Sequence, residues 1–268
     1  MQIDGKTRVV GIVADPIAHV RTPQLFNVAM ERQGLNAVCV PLHVKAPQLA
    51  ALLAGLAGCR NLAGLVVTIP HKEAVVAHCG ELSPAARLVG AANVVRWDSS
   101  RGHWLGGNLD GDGFVAGLKQ SGHSLTGKRV LLLGVGGAGK AIAYAVGREH
   151  PAELVLHNRT TARAQEAVQR LAPALPGLAL RTGLADATGF DVVINATALG
   201  LQDGDPAPLP VETLRPGMLV CEAVMRDTPL LDAARACGAH AHAGQHMLEG
   251  QLTEIARFFG FGDLGDAE

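Results

Sequence analysis

The stretch Val130-Leu131-Leu132-Leu133-Gly134-Val135-Gly136-Gly137-Ala138-Gly139-Lys140-Ala141-Ile142-Ala143 decides how this chain is read. An apolar run, a glycine turn and a helical pattern follow one another, the order of a strand, a phosphate loop and a helix. Glycines let the backbone turn tightly and approach a pyrophosphate, and the helix that follows offers unpaired N–H groups and the positive end of its dipole. The G-x-G-x-x-G spacing alone is a weak signal. Here the flanks agree with it: Ile142, Ala145 and Val146 recur at helical spacing, and Glu153-Leu154-Val155-Leu156-His157 reads as the next parallel strand. A tight strand-to-helix turn without a ligand leaves that agreement unexplained.

The residues after that strand point to the kind of nucleotide. A carboxylate about twenty residues past the glycines would bind a ribose 2′-hydroxyl. This chain instead has Asn158-Arg159-Thr160, with Arg163 one turn further on. Guanidinium and hydroxyl groups suit a 2′-phosphate, and Arg also stacks on an adenine face. NADP is favoured over NAD; the alternative is that Arg159 and Arg163 are solvated loop and helix residues.

The chain has 268 residues, enough for two domains, and its 48% hydrophobic content with 33 Gly fits a folded α/β protein. The net charge of −1 and 3% aromatic content give neither a basic surface nor a stacking platform for nucleic acid. Five scattered cysteines without C-x-x-C spacing read as reduced thiols. With no apolar leader and no run of membrane-spanning length, a soluble cytoplasmic enzyme is expected, as a monomer or homodimer.

Ahead of the glycine loop, Val9 to Ala14, Ala37 to Val44, Leu62 to Ile69 and Asn93 to Trp97 are short apolar runs with strand character. Between them, Thr22 is placed to cap a helix with Pro23 in its first turn, and Pro47 to Leu56 has helical spacing. This alternation predicts a mainly parallel sheet in a first α/β domain. A Rossmann-like second domain follows, with a helix around Phe114 to Leu118 and strands at Val130, Leu154, Val192 and Leu219. A last helix after Gly244 carries Met247, Leu248, Leu252, Ile255 and Phe259 on one face and is expected to return to the first lobe, leaving a cleft. The expected division is 1–107 with 241–268 for substrate and catalysis, and 108–240 for the dinucleotide.

Several polar residues have the right setting for chemistry. In Thr68-Ile69-Pro70-His71-Lys72 a strand ends and a helix begins, so Lys72 falls in a first turn, where a helix dipole disfavours positive charge and suits a proton-transferring amine. An exposed lysine partnered by Glu73 is the alternative. Asp110 and Asp112 lie in a glycine-rich stretch that fails as an EF-hand, since Val115 and Ser121 occupy the positions needing Gly and Glu. Asp112 is the better helix cap and Asp110 the better functional candidate. Asn93 and Gln251 place primary amides in apolar patterns, where they need partners from the protein or from a polyol. His240, His242 and His246 near Cys237 lack a completing ligand, so no metal is expected.

Taken in order, these segments resemble the shikimate and quinate dehydrogenase family over nearly the whole chain. Its opening Pro-Ile-x-His and Ser-x-Ser-Pro pattern is matched by Pro16-Ile17-Ala18-His19-Val20-Arg21-Thr22-Pro23, and its Asn-Val-Thr-x-Pro-x-Lys by Val66-Val67-Thr68-Ile69-Pro70-His71-Lys72. Gly90 to Asn93, Gly107 to Asp110, the glycine loop, Asn158 to Ala164, Asn195 to Thr197 and Gly244 to Gln251 follow in register. The resemblance implies that Lys72 and Asp110 form the catalytic pair. It implies that Thr68, Asn93 and Gln251 bind substrate hydroxyls and Thr22 the carboxylate. It implies cofactor contacts at Gly134, Gly136, Gly137, Ala138, Asn158, Arg159, Thr160, Arg163, Thr197 and Gly244, with NADP as cofactor.

The implied reaction is hydride transfer between shikimate, quinate or a related carboxylated polyol and its ketone, a step of aromatic amino acid biosynthesis. Departures fall in the substrate half. Val20 stands where the family has its first carboxylate-binding Ser, Val66 where it has Asn, and Met225 where it usually has Tyr. Arg21 is a candidate to compensate. Weak or altered activity on shikimate is therefore expected, with a dehydrogenase for another hydroxy acid and an NADP-binding redox sensor as rivals.

Overall fold

The computed structural model describes residues 2–18 and 20–262; Met1, His19 and 263–268 lie outside the described residues. The chain forms two units, one running up to Leu109 and resuming at Leu252, the other running from Asp110 to Gln251. The break at Gln251 lies inside the last helix rather than ahead of it.

The first unit contains β1 (Arg8–Ala14), α1 (Thr22–Arg32), β2 (Ala37–His43), α2 (Leu49–Leu56), β3 (Leu62–Val67), α3 (His71–Ala74), β4 (Cys79–Leu82), α4 (Pro84–Val89), β5 (Val94–Asp98) and β6 (His103–Gly107). Its sheet has the order β2-β1-β3-β5-β6-β4. Strand β1 pairs in parallel with β2 and β3, and β4 with β6, whereas β5 runs antiparallel to both β3 and β6. The sheet is thus mixed. The β5–β6 hairpin turns where Asp98 accepts the Ser100 N–H at 2.9 Å and Gly102 takes φ +71°. Both sheet faces are covered, which is why the strands read as continuous apolar runs. Val10, Ile12, Val66 and Val94 pack on one side, with Phe26, Met30, Leu252, Ile255 and Phe259. Val13, Leu65, Val67 and Val95 pack on the other, with Leu49, Leu53 and Trp104.

The second unit begins with α5 (Asp110–Gln120), followed by β7 (Arg129–Leu133), α6 (Gly137–Gly147), β8 (Glu153–His157), α7 (Thr161–Leu171), β9 (Ala179–Thr182), β10 (Val192–Asn195), β11 (Leu219–Glu222), α8 (Pro229–Cys237), β12 (His240–His242) and α9 (Gln245–Phe258). Its sheet, β12-β11-β10-β7-β8-β9, is parallel throughout. The order reverses on either side of β7, the switch point of a dinucleotide-binding Rossmann sheet. Leu131, Leu133, Val155, Val193 and Val220 face a core closed by Phe190, Met218 and Leu230.

Three local expectations need correction. Arg21, not Thr22, is the N-cap residue of α1; Thr22 is its first helical residue, and no side chain caps it. Asp112 lies inside α5 and reaches Arg148 at 3.3 Å, because the helix already begins at Asp110. Helix α3 is a single α-helical turn of four residues that tightens into a 3-10 turn over Val75–His78, so Lys72 stands at the head of a shorter and less regular helix than the dipole argument assumes.

Candidate active site and dinucleotide site

In the first unit the candidate residues gather at one end of the sheet because β5 opposes β3. Val66 pairs with Val94, so Asn93 stands beside the end of β3. The Asn93 carbonyl accepts from Val67 at 2.7 Å, its N–H donates to Gly107 at 2.9 Å, and its side-chain Oδ1 accepts the Leu109 N–H at 2.9 Å. This amide is 3% exposed and braces the last residues before the second unit. Thr68 follows β3 directly, its N–H donating to Val13 at 3.0 Å. Half-buried Lys72 lies one turn on, and its carbonyl accepts from Ala92, the residue before Asn93, at 2.8 Å. Beneath it His71 is fully buried, with Nε2 against the Val44 carbonyl at 2.7 Å. Thr22 is half-buried at the start of α1.

Two of the three departures concern packing. Val66 is 7% exposed inside the core, so its methyls replace a polar group with apolar contact. Val20 packs against the same cluster, while Met225 is exposed.

In the second unit Asp110 opens α5, 5% exposed, and its Oδ1 accepts the Gln251 Nε2–H at 2.8 Å. Helices α5 and α9 thus bring together two residues far apart in the chain. Asp112, by contrast, is an ion-pair partner on the α5 surface whose carboxyl is pushed up by burial against the pull of Arg148.

The glycine loop is built by contact on one side and space on the other. Gly134 takes φ +92°, and a Cβ there would lie 2.8 Å from the Thr197 nitrogen. A methyl on Gly139 would collide with the Gly134 carbonyl, so this glycine allows α6 to close on β7. Gly136 and Gly137 have no atom within 4 Å of such a methyl and begin α6 with open space before them. That cradle fits a pyrophosphate. Ala138 is half-buried in the first turn. Asn158 ties the loop to the next strand, accepting the Val135 N–H at 3.4 Å and donating to the Thr160 carbonyl at 3.1 Å. Arg159, Thr160 and Arg163 are exposed around the start of α7. Gly244 sits against the Val224 carbonyl with no room for a side chain, so close packing accounts for that glycine.

Sequence reasoning gave no role to a buried network beside this loop. Asn195 and Glu222, the last residues of β10 and β11, are register partners and both 0% exposed. Their common signal is a polar residue closing each of two apolar strands, Val192-Val193-Ile194-Asn195 and Leu219-Val220-Cys221-Glu222. The histidine group is of another kind. His242 and His246 stack at 4.6 Å between ring centroids and His123 meets His242 edge-on at 5.7 Å. Among the described residues no group of three or more His, Cys, Asp or Glu is arranged to hold a metal ion.

A doubly wound sheet with a phosphate cradle at its switch point, in a chain with a second α/β unit, defines the class of dinucleotide-binding proteins. Residues 12–95 match the model for the shikimate dehydrogenase substrate binding domain, and residues 117–200 that for shikimate / quinate 5-dehydrogenase. The chain belongs to the shikimate dehydrogenase family. It is 42% identical to the shikimate dehydrogenase (NADP(+)) of Rubrobacter xylanophilus, over 96% of this chain and 92% of that one. Among solved structures it resembles 5-ketofructose reductase of a Gluconobacter species (TM-score 0.88, 27% identity, 98% of this chain and 96% of that one). It also resembles shikimate 5-dehydrogenase of Thermus thermophilus in complex with NADP(H) and shikimate (TM-score 0.85, 29% identity, 96% and 95%). Among the described residues no helix is long and apolar enough to cross a membrane.

Proposed function

We propose that this chain interconverts shikimate, or a closely related carboxylated cyclic polyol such as quinate, with its 3-dehydro ketone at the expense of NADP. The observation that carries this reading is the buried Asp110 carboxylate holding the Gln251 amide at 2.8 Å, an acceptor and a primary amide set side by side for hydroxyl groups. Arg159, Thr160 and Arg163 are assigned to the 2′-phosphate, and Gly134, Gly136, Gly137, Ala138 and Thr197 to the pyrophosphate and the loop beside it. Thr22 is assigned to the substrate carboxylate, and Thr68, Asn93 and Gln251 to its hydroxyls.

NADP, when bound, supplies or accepts the hydride at the carbinol carbon. The chain's own task is the proton. As the substrate C–H bond is broken, charge grows on the carbinol oxygen, and Lys72 Nζ takes up the hydroxyl proton; in reduction it returns it. Asp110 is the other member of the proposed catalytic pair, its buried carboxylate an acceptor for a substrate hydroxyl. Apolar Val20 and Met225 leave the carboxylate with fewer donors than the resemblance implies. Each missing charge-assisted bond costs about 1.5 to 3 kcal/mol, roughly tenfold to over a hundredfold in affinity. A raised KM for shikimate follows, offset to the extent that Arg21 donates in place of the lost hydroxyls.

The test is the initial rate of NADPH absorbance change with shikimate and with quinate, against NADP and NAD, for the wild type and Lys72→Ala. Turnover with NADP that drops by about a thousandfold in Lys72→Ala while NADPH still binds is the expected result. Full turnover in the variant removes Lys72 from the proton path. NADPH binding without turnover of either acid moves the substrate elsewhere, toward other polyols or toward a sensor.

A further inference from the structure

The contacts leading away from the glycine loop end on a residue the proposed reaction does not use. Thr197, whose nitrogen crowds Gly134, donates its N–H and its hydroxyl to Asn195 Oδ1 at 3.0 and 2.7 Å. The Thr197 oxygen in turn accepts the Leu199 N–H at 3.0 Å, closing a small turn after β10. The other end of the Asn195 amide donates to the Leu199 carbonyl at 3.1 Å and to both Glu222 carboxylate oxygens at 3.0 Å. From the far side the Thr228 hydroxyl donates to Glu222 at 2.7 Å while its oxygen accepts the Leu231 N–H at 3.3 Å.

An asparagine amide has one accepting end and one donating end, and rotation by half a turn exchanges them. At Asn195 that exchange would set an N–H₂ against the two Thr197 donors. Glu222 forbids it: a carboxylate only accepts, so the donating end of Asn195 must face β11. Every group that reaches Glu222 donates to it, the Val224 N–H included. Among the described residues no cationic side chain pairs with it, so a wholly buried acid is kept for its hydrogen-bonding polarity and not for an ion pair.

We propose that Glu222 is a positioning residue for the dinucleotide: it fixes which way the Asn195 amide faces and thereby holds Thr197 against the glycine loop. The proposal rests on the reading of that loop as the NADP site. Gln in place of Glu222 keeps the shape but sets one amide nitrogen against another. That conflict is relieved by turning Asn195 over or by pushing β10 and β11 apart, and either change moves Thr197.

The test is titration of full-length protein with NADPH, read by nucleotide fluorescence, alongside thermal melting. Wild type that binds no NADPH overturns the dinucleotide reading and this proposal together, before any variant is compared. Given wild-type binding, Glu222→Gln is expected to raise the NADPH Kd by about tenfold or more. Thr228→Ala, which removes a donor to Glu222 and the α8 cap but leaves Asn195 in place, is expected to lower the melting temperature with Kd held within about twofold. An unchanged Kd in Glu222→Gln overturns the proposal, as does an equal loss in Thr228→Ala, which would mark a general structural effect. Should Glu222→Gln not fold, Glu222→Met carries the test. It removes both acceptors from the end of β11 and leaves nothing there to fix the Asn195 amide, so its NADPH Kd is expected to rise by about tenfold or more. A folded Glu222→Met protein whose Kd stays within about twofold of wild type overturns the proposal.

Discussion

Arg159 and Arg163 are exposed where β8 hands over to α7. Arg159→Ala is expected to raise KM for NADP by about tenfold, the loss of one charge-assisted hydrogen bond to phosphate, and to leave KM for NAD unchanged. Steady-state kinetics with both nucleotides check this; an equal effect on the two removes Arg159 from the 2′-phosphate. At this scale the sequence was informative wherever a residue type has few uses. A glycine that must admit a neighbouring carbonyl, such as Gly139, is legible because no other residue fits there. The surroundings of Lys72 were not legible, since helix length and regularity decide the strength of a dipole and α3 gives way to a 3-10 turn after four residues. The Asn195–Glu222 pair was hidden for a related reason: sequence gives the end of each strand but not which strands lie side by side.

At the scale of elements, the junction of β12 with α9 is built to respond to acid. His242 is 2% exposed, its Nε2 is buried with no partner, and His246, His123 and the Phe114 ring surround it. Burial first, then the neighbouring His246 and His123, push its pKa down to about 4. His246 Nδ1 lies 3.2 Å from a Glu249 carboxylate oxygen, and His240 lies 6.2 Å from His123 between ring centroids. A depressed imidazole pKa means that the fold prefers the neutral ring. Its stabilising effect is complete above the ordinary imidazole pKa of about 6.5 and is lost as pH falls from there toward about 4, on the order of 3 kcal/mol in all. Melting temperature should fall over that window in the wild type and fall less in His242→Phe; parallel curves would exclude His242. Strands with apolar runs, such as β7 and β10, were legible at this scale. Strands β4, β6 and β9 were not, because Cys79-Gly80-Glu81-Leu82 and the glycines ending β6 carry loop composition, and only neighbours in the sheet make them strands.

For the whole molecule, the unit from Asp110 to Gln251 contains the entire parallel sheet and the phosphate cradle. NADPH at a hundred times its Kd should add about 2.7 kcal/mol to the stability of that unit and raise its unfolding midpoint by roughly 5 to 10 °C. Calorimetry with and without the nucleotide checks it, and a transition that does not move speaks against binding to the folded unit. Synthesis gives the same division a different meaning. The unit from Asp110 to Gln251 is continuous and is complete once α9 is half made. The first unit is begun earlier but must wait for Leu252, Ile255, Ala256 and Phe259 to fill the core beside Val10 and Phe26. The unit begun first is therefore the unit whose core is completed last, its apolar sheet face uncovered until Leu252 to Phe259 have been made.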